Sequence, residues 1–89
     1  TLAQNKAGRH MDPFVIDIFP SSEEEIKTST HEGEEFIYVL EGQVEIIYGK
    51  DKYLLEKGDS IYYESIVAHH VHSYGENNAK ILAVVYTPV

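Results

Sequence analysis

The residues with the clearest capacity for chemistry are a histidine and a glutamate at the start of an apolar run. The stretch from Ser29 to Gly42 reads Ser-Thr-His-Glu-Gly-Glu-Glu-Phe-Ile-Tyr-Val-Leu-Glu-Gly. Residues two apart on a strand share a face, so Glu35 lies with Ile37 and Val39. A carboxylate on such a face is costly to bury unless it is paired, hydrogen-bonded or bound to a cation. His31, four residues earlier, can reach the same ion if the chain runs extended.

The elements that must position these residues are short strands. The strand that contains Glu35 is apolar on both faces, which is typical of a strand buried on both sides. Turn residues recur roughly every 7 to 10 residues, and no segment has helical periodicity. Regularly spaced short strands predict an all-β sandwich or barrel. The predicted strands cover residues 13–19, 35–40, 43–48, 52–55, 60–63, 69–74 and 80–86.

The central stretch resembles the first motif of the cupin family, in which a His-x-His pair is followed by a glutamate and later by a glycine. His31 matches the second histidine, Glu35 the glutamate and Gly42 the glycine. Ser29 stands where the first histidine would be. One metal ligand of the family pattern is therefore missing.

The second cupin motif is recognisable further along the chain. Gly58 matches its opening glycine and His69 its histidine ligand. Glu64, Ile66 and Ser73 replace the usual proline, glycine and asparagine. The resemblance implies that the fold is a cupin double-stranded β-helix, a jelly-roll barrel.

The resemblance also implies a metal site. Cupins bring such ligands together inside the barrel, so His31, Glu35 and His69 are the expected metal ligands. Two imidazoles and a carboxylate form a facial set used for Fe(II), Mn(II), Zn(II) or Ni(II), with open positions for water or substrate. With Ser29 in the fourth place, the divalent ion is expected to bind weakly. It is also expected to be lost at low pH, because imidazole must be neutral to coordinate.

A metal-free alternative stands beside this interpretation. Glu35 can instead accept hydrogen bonds from His31 and from buried tyrosines. The chain has seven tyrosines, which either pack as half-buried aromatics or line a pocket for a small polar or aromatic ligand. The predicted ligand pocket consists of Ser29, Tyr38, Tyr63 and Ser73.

Two further histidines follow the predicted ligand. Alternation places His69, Val71 and Ser73 on one face of their strand, and His70 and His72 on the other. These two are therefore expected to lie outside the metal site. A register slip of one residue would exchange the faces and make His72 the ligand.

Composition excludes several classes of function. The formal net charge of the 89 residues is −8, with no cluster of Lys and Arg, which excludes nucleic acid as a partner of this segment. There is no apolar run long enough to span a membrane and no signal-peptide pattern. The chain has no cysteine, which fits a reducing compartment. The sequence predicts a soluble cytoplasmic protein.

The leading functional hypothesis is a cupin that binds a small molecule and acts as a sensor or regulatory module. Residues 1–12 are predicted to be an N-terminal arm or linker, and residues 13–89 the cupin domain. The segment resembles the cupin domains that follow a helix-turn-helix domain in transcriptional regulators. The alternative is a metal-dependent enzyme of the dioxygenase, isomerase or decarboxylase type. A homodimer is expected, because the two-sided apolar strands offer more apolar surface than one small core buries.

Overall fold

The fold consists of strands alone in the part of the chain that the structure describes. A computed structural model describes residues 10–22 and 26–88. Within these ranges no helix is long and apolar enough to cross a membrane. The strands are β1 (Met11–Ile18), β2 (Glu34–Glu41), β3 (Gln43–Tyr48), β4 (Asp51–Glu56), β5 (Ser60–Glu64), β6 (His69–Ser73) and β7 (Ala79–Tyr86).

The strands form two antiparallel sheets. The four-stranded sheet has the order β1-β7-β2-β5, and the three-stranded sheet has the order β4-β3-β6. Neighbours in sequence therefore often lie in different sheets, as in a double-sheet jelly roll. The all-β prediction is confirmed, and each predicted strand is found to within about two residues at either end.

The core lies between the sheets, where period-two alternation directs the apolar side chains. Ile37 and Val39 of β2 and Val44 and Ile46 of β3 are all at most 2% exposed. Small residues, Ala79 and Ala83, alternate with Ile81 on β7. Since a strand has a period of two, the intervening residues of the same strands must face outward.

The outward face of β2 differs from the prediction of a strand buried on both sides. Tyr38 is 37% exposed, while its neighbours Ile37 and Val39 are buried. The reason is that the three-stranded sheet covers only one side of the four-stranded sheet.

Two tight turns fix how β2 enters and leaves the sandwich. Gly42 has φ +76 between β2 and β3, and a Cβ there would lie 3.0 Å from the carbonyl oxygen of Asn78. Gly33 has φ +116 just before β2, and a Cβ there would lie 1.9 Å from the carbonyl oxygen of Tyr86. Only glycine combines this backbone conformation with so close an approach. Gly33 thus sets the entry of the strand that carries Glu35.

The predicted N-terminal arm is only partly described. Residues 1–9 lie outside the described residues, and β1 already begins at Met11.

Candidate metal centre

Three separate segments supply the chemically active side chains. Glu35 is the second residue of β2, on the inward face with Ile37. His69 is the first residue of β6, which belongs to the other sheet. His31 precedes β2 in the connection from β1. The triad of His31, Glu35 and His69 therefore lies at one end of the sandwich, where the two sheets meet.

Backbone hydrogen bonds hold the His31 segment against β6. The Ser29 N–H donates to the His69 carbonyl at 2.9 Å, and the His69 N–H donates to the Ser29 carbonyl at 3.0 Å. The His31 N–H donates to the Ser65 carbonyl at 3.1 Å. Although 38 positions separate the two histidines in the chain, their backbones are thus tied to one small region.

The ligand atoms of the triad converge on one carboxylate oxygen. His31 Nε2 lies 2.9 Å and His69 Nε2 lies 3.3 Å from Glu35 Oε1. The two imidazole rings meet edge to face, with centroids 5.3 Å apart. One ligand atom from each residue lies within 4.8 Å of the others, a spacing that can hold a metal ion. The sequence prediction named these three residues, and the structure brings them together.

Exposure differs across the triad and shows where it opens. The side chain of His69 is 6% exposed and that of Glu35 13%, whereas that of His31 is 37% exposed. The triad is therefore closed on the side of β6 and accessible on the side of His31.

The other nitrogen of each imidazole fixes its tautomer. His69 Nδ1 lies 2.8 Å from the Val67 carbonyl oxygen, and His31 Nδ1 lies 3.1 Å from the Glu32 carbonyl oxygen. A carbonyl can only accept, so in both rings Nδ1 carries the hydrogen and donates it. In both rings the Nε2 atom is directed at the carboxylate. This is the arrangement by which outer partners orient metal-binding histidines.

The second oxygen of Glu35 is held by Tyr63. The Tyr63 hydroxyl donates to Glu35 Oε2, and the two residues are direct cross-strand partners between β2 and β5. Burial raises the pKa of Tyr63, and its hydrogen bond to Glu35 and the charges of Glu35 and Tyr48 raise it further. The phenol therefore remains protonated and acts as a donor. Its ring packs on Tyr48 and on His69, with centroids 5.2 Å and 5.1 Å away.

The four predicted pocket residues do not lie together. Ser29 pairs with His69 in an isolated antiparallel bridge, so it lies beside the triad. Ser73 faces the interior but lies four residues along β6, about 13 Å from His69. Tyr38 lies on the outward face of β2, away from the triad. Of the predicted pocket residues, Tyr63 donates a hydrogen bond to Glu35, and Ser29 pairs with His69 through the backbone.

Tyr48 was not singled out from the sequence, yet it forms part of the wall behind Tyr63. The signal that could have found it is alternation along β3, which places Tyr48 on the inward face with Val44 and Ile46. The backbone carbonyls of Val67 and Glu32 accept hydrogen bonds from the two triad histidines. These acceptors could not be found from the sequence, because every residue has a backbone carbonyl whatever its side chain.

A second histidine–glutamate group lies on the outward side of the three-stranded sheet. His72 Nε2 is 3.0 Å from Glu45 Oε1, and these residues are cross-strand partners of β6 and β3. His70 Nδ1 contacts the Lys27 carbonyl oxygen at 3.2 Å. Burial lowers the pKa of His70; the bond to Lys27 opposes this, and nearby His72 lowers the pKa further. As predicted from alternation, neither histidine joins the triad.

The chain is similar to known proteins over most of its length. A family model described as Cupin domain matches residues 15–85. The (S)-2-hydroxypropylphosphonic acid epoxidase of Streptomyces wedmorensis is 32% identical over 89 aligned residues, which cover 93% of this chain and 45% of the epoxidase.

Solved structures give the same result for the fold. Fe(II) HppE in complex with substrate aligns with a TM-score of 0.77 at 31% identity, covering 86% of this chain and 46% of that chain. Co(II) HppE in complex with Tris buffer aligns with a TM-score of 0.77 at 30% identity, with the same coverage of 86% and 46%. The chain thus spans less than half the length of these relatives.

Proposed function

The chain belongs to the cupin family, and we propose that it is a metal-binding cupin domain that holds a small ligand at its ion. In this proposal His31, Glu35 and His69 bind one divalent transition-metal ion. A ligand with oxygen donors reaches the remaining coordination positions from the accessible side of the triad, next to His31.

One observation carries the metal proposal. Both imidazoles already donate Nδ1–H to backbone carbonyls, so their Nε2 lone pairs and Glu35 Oε1 are three acceptors directed at one another. Acceptors at 2.9 Å and 3.3 Å need a proton or a cation between them. A metal ion satisfies all three at once, whereas protons do so only if both rings carry a second hydrogen.

The donor set favours iron among the candidate metals. Two histidines and one carboxylate with open positions are typical of non-haem Fe(II) sites, and the same set accepts Mn(II), Ni(II) and Zn(II). The structural relatives include an Fe(II) and a Co(II) form of HppE. We therefore propose Fe(II) as the resident ion and Co(II) as a spectroscopic substitute.

The leading role for this ion is ligand binding in a sensor or regulatory module. Tyr63 is the proton-bearing group in contact with Glu35, and its raised pKa keeps it from acting as a base. A domain that only binds its ligand needs no further acid or base. Ligand exchange at the ion would then be the signal.

A catalytic role is the second candidate, and the likeness to an epoxidase favours it. Open positions on Fe(II) suit oxygen chemistry as well as ligand binding. In this alternative the domain is the metal-binding part of a metal-dependent enzyme, with the triad as ligands rather than as acid or base.

Calorimetric and spectroscopic titration with Co(II) tests the metal proposal. Metal-free protein without a histidine tag is expected to bind one Co(II) per chain. The sample should then develop the visible absorption of bound Co(II). Glu35→Gln should abolish this binding. Glu45→Gln, which alters the other histidine–glutamate group, should leave it unchanged. Equal binding by wild type and Glu35→Gln would refute the proposal.

A second experiment separates the two roles. The Fe(II)-loaded protein is mixed with oxygen and with (S)-2-hydroxypropylphosphonic acid, the compound in the name of the relative. Product formation that requires His69 would establish the enzyme. A ligand-induced shift of the Co(II) spectrum without product would support the binding module.

A further inference from the structure

The connection between β5 and β6 is a turn that lies beside both histidines of the triad. We call residues 64–67 the rim turn. Within it, the Ser65 carbonyl accepts a hydrogen bond from the His31 N–H at 3.1 Å. The Val67 carbonyl accepts another from His69 Nδ1 at 2.8 Å. The rim turn therefore borders the triad from one histidine to the other.

Further hydrogen bonds fix the rim turn against the segment that carries His31. The Ser65 N–H donates to the Gly33 carbonyl at 2.9 Å, and Thr30 Oγ1 donates to the Ile66 carbonyl at 2.5 Å. Ser65 itself is fully buried. A side chain that projects from this turn is thus held at a defined place next to the accessible side of the triad.

Ile66 is an unusual residue for the exposed position of a turn. It is 57% exposed, whereas its neighbours Ser65 and Val67 are buried and half-buried. Turns favour Gly, Pro, Asn, Asp and Ser for conformational reasons that a β-branched side chain does not share. The second cupin motif has glycine at this position. A residue that breaks a local rule without gaining burial in its own chain marks a functional position.

Other exposed apolar residues of the described chain lie in a different setting. Leu54 is 48% exposed on β4, an edge strand that pairs only with β3. Tyr74 is 50% exposed and follows the end of β6 that is opposite His69. Single exposed residues of this kind are normal on a protein surface. What distinguishes Ile66 is its place on a turn that is hydrogen-bonded to both triad histidines.

We propose that Ile66 determines the ligand specificity of the metal site by packing against an apolar group of the ligand. This inference rests on the proposed function: the oxygen donors of the ligand bind the ion, and the group attached to them extends over the rim turn beside His31. The ligand class that fits is an oxygen chelator that carries an uncharged alkyl group. Each methylene of that group that is removed from water should raise the affinity by about fourfold.

A chain-length series of hydroxamates on the Co(II)-loaded protein tests this role of Ile66. Acetohydroxamate supplies two oxygen donors and a methyl group, and hexanohydroxamate adds four methylenes. In wild type the affinity, measured from the Co(II) spectrum, should rise by at least about tenfold along the series, because part of the longer chain covers Ile66. In Ile66→Gly the rise should be less than about threefold, below the value of one buried methylene.

Three controls separate ligand contact from a structural effect. Ile66→Gly carries the glycine of the cupin motif, so its affinities for Co(II) and for acetohydroxamate should equal those of wild type. Ile66→Leu keeps an apolar side chain and should keep the rise in affinity with chain length. Leu54→Ala, which changes an exposed side chain on β4, should also keep it.

A measurement on the wild type makes the test independent of variant folding. In Zn(II)-loaded protein, nuclear Overhauser effects should join the alkyl chain of bound hexanohydroxamate to the methyl groups of Ile66 and not to those of Leu54. Their absence, or an undiminished rise in affinity in Ile66→Gly, would overturn the role of Ile66. If acetohydroxamate leaves the Co(II) spectrum of wild type unchanged, the ligand site of the proposed function is refuted, and this inference with it.

Discussion

The described part of the chain contains two histidine–glutamate groups built from the same residue types, and they differ in what the second imidazole nitrogen does. In the triad, each Nδ1 donates to a backbone carbonyl, and both Nε2 atoms are directed at Glu35. In the outward pair, His72 Nε2 lies 3.0 Å from Glu45, while its buried Nδ1 has no partner among the described residues.

This difference decides what each group can bind. With its Nδ1 free of a carbonyl, His72 can carry its hydrogen on Nε2 and donate it to Glu45, so one hydrogen bond satisfies the contact between the two side chains. In the triad, the Nδ1 hydrogens are donated to backbone carbonyls, and the two Nε2 atoms and Glu35 Oε1 face one another. A histidine close to a glutamate is therefore not enough to define a metal site. What distinguishes the triad is that the other ring nitrogen, Nδ1, donates its hydrogen to a backbone carbonyl.

The largest expected effect separates the two groups by metal affinity. His69→Ala removes one of three ligands and should weaken Co(II) binding by more than about 100-fold, beyond the 10–100-fold typical of outer partners. His72→Ala serves as the matched control and should bind Co(II) as wild type does. Calorimetry on both variants measures this, and a comparable loss in His72→Ala would remove the distinction between the groups.

Removing the donor behind the carboxylate should have the next largest effect. Tyr63→Phe keeps the packing on Tyr48 and His69 but deletes the hydrogen bond to Glu35. Metal affinity should fall by about 10–100-fold, as for other outer partners. Tyr62→Phe deletes the equivalent hydrogen bond to Glu34 on the outward side and is the control. Identical affinities of the two variants would show that Tyr63 does not position Glu35.

Disrupting the outward His72–Glu45 pair should instead change the free energy of unfolding. Glu45→Ala leaves the buried His72 without its partner and should lower the free energy of unfolding by about 1–3 kcal/mol. Its Co(II) affinity should stay at the wild-type value. Urea denaturation of the metal-free protein measures the first quantity and calorimetry the second. A Glu45→Ala protein as stable as wild type would mean that the pair contributes nothing to the fold.

The smallest expected effect comes from adding a ligand. Ser29 pairs directly with His69, and partners in an antiparallel bridge project to the same side. Ser29→His should therefore tighten Co(II) binding by about tenfold, which corresponds to roughly 1.4 kcal/mol of binding free energy. Thr28→His, one position earlier and on the opposite side, is the control. An equal gain in both variants would indicate a nonspecific effect of an added imidazole.

Much of the site was predictable because it depends on local rules. Alternation alone turned Glu35 inward with Ile37 and Val39 and separated His69 from His70 and His72. The position of His69 beside Glu35 depended on the family motif, since no local rule joins residues 34 positions apart. The predicted pocket includes Tyr38 although alternation places this residue opposite Glu35, and the structure shows it on the outward face.

Other features depend on strand register, which the sequence does not encode locally. The contact of Tyr63 with Glu35 requires that these residues face each other between β2 and β5, and the Glu45–His72 pair requires the same of β3 and β6. Each pairing is set by the whole sheet. The uncovered outward face of β2 could not be predicted from the sequence. A strand with apolar residues on both faces has the same sequence pattern whether the layer that covers its second face belongs to its own chain or to another one.

The placement of the triad gives a bound ion a mechanical role. Glu35 belongs to the four-stranded sheet and His69 to the three-stranded sheet, so one ion would cross-link the two layers at their shared end. It would also close the loop between His31 and His69 in a chain that has no cysteine. A coordinated metal would then act as a reversible cross-link, which forms when the cell supplies the ion and is lost when it does not.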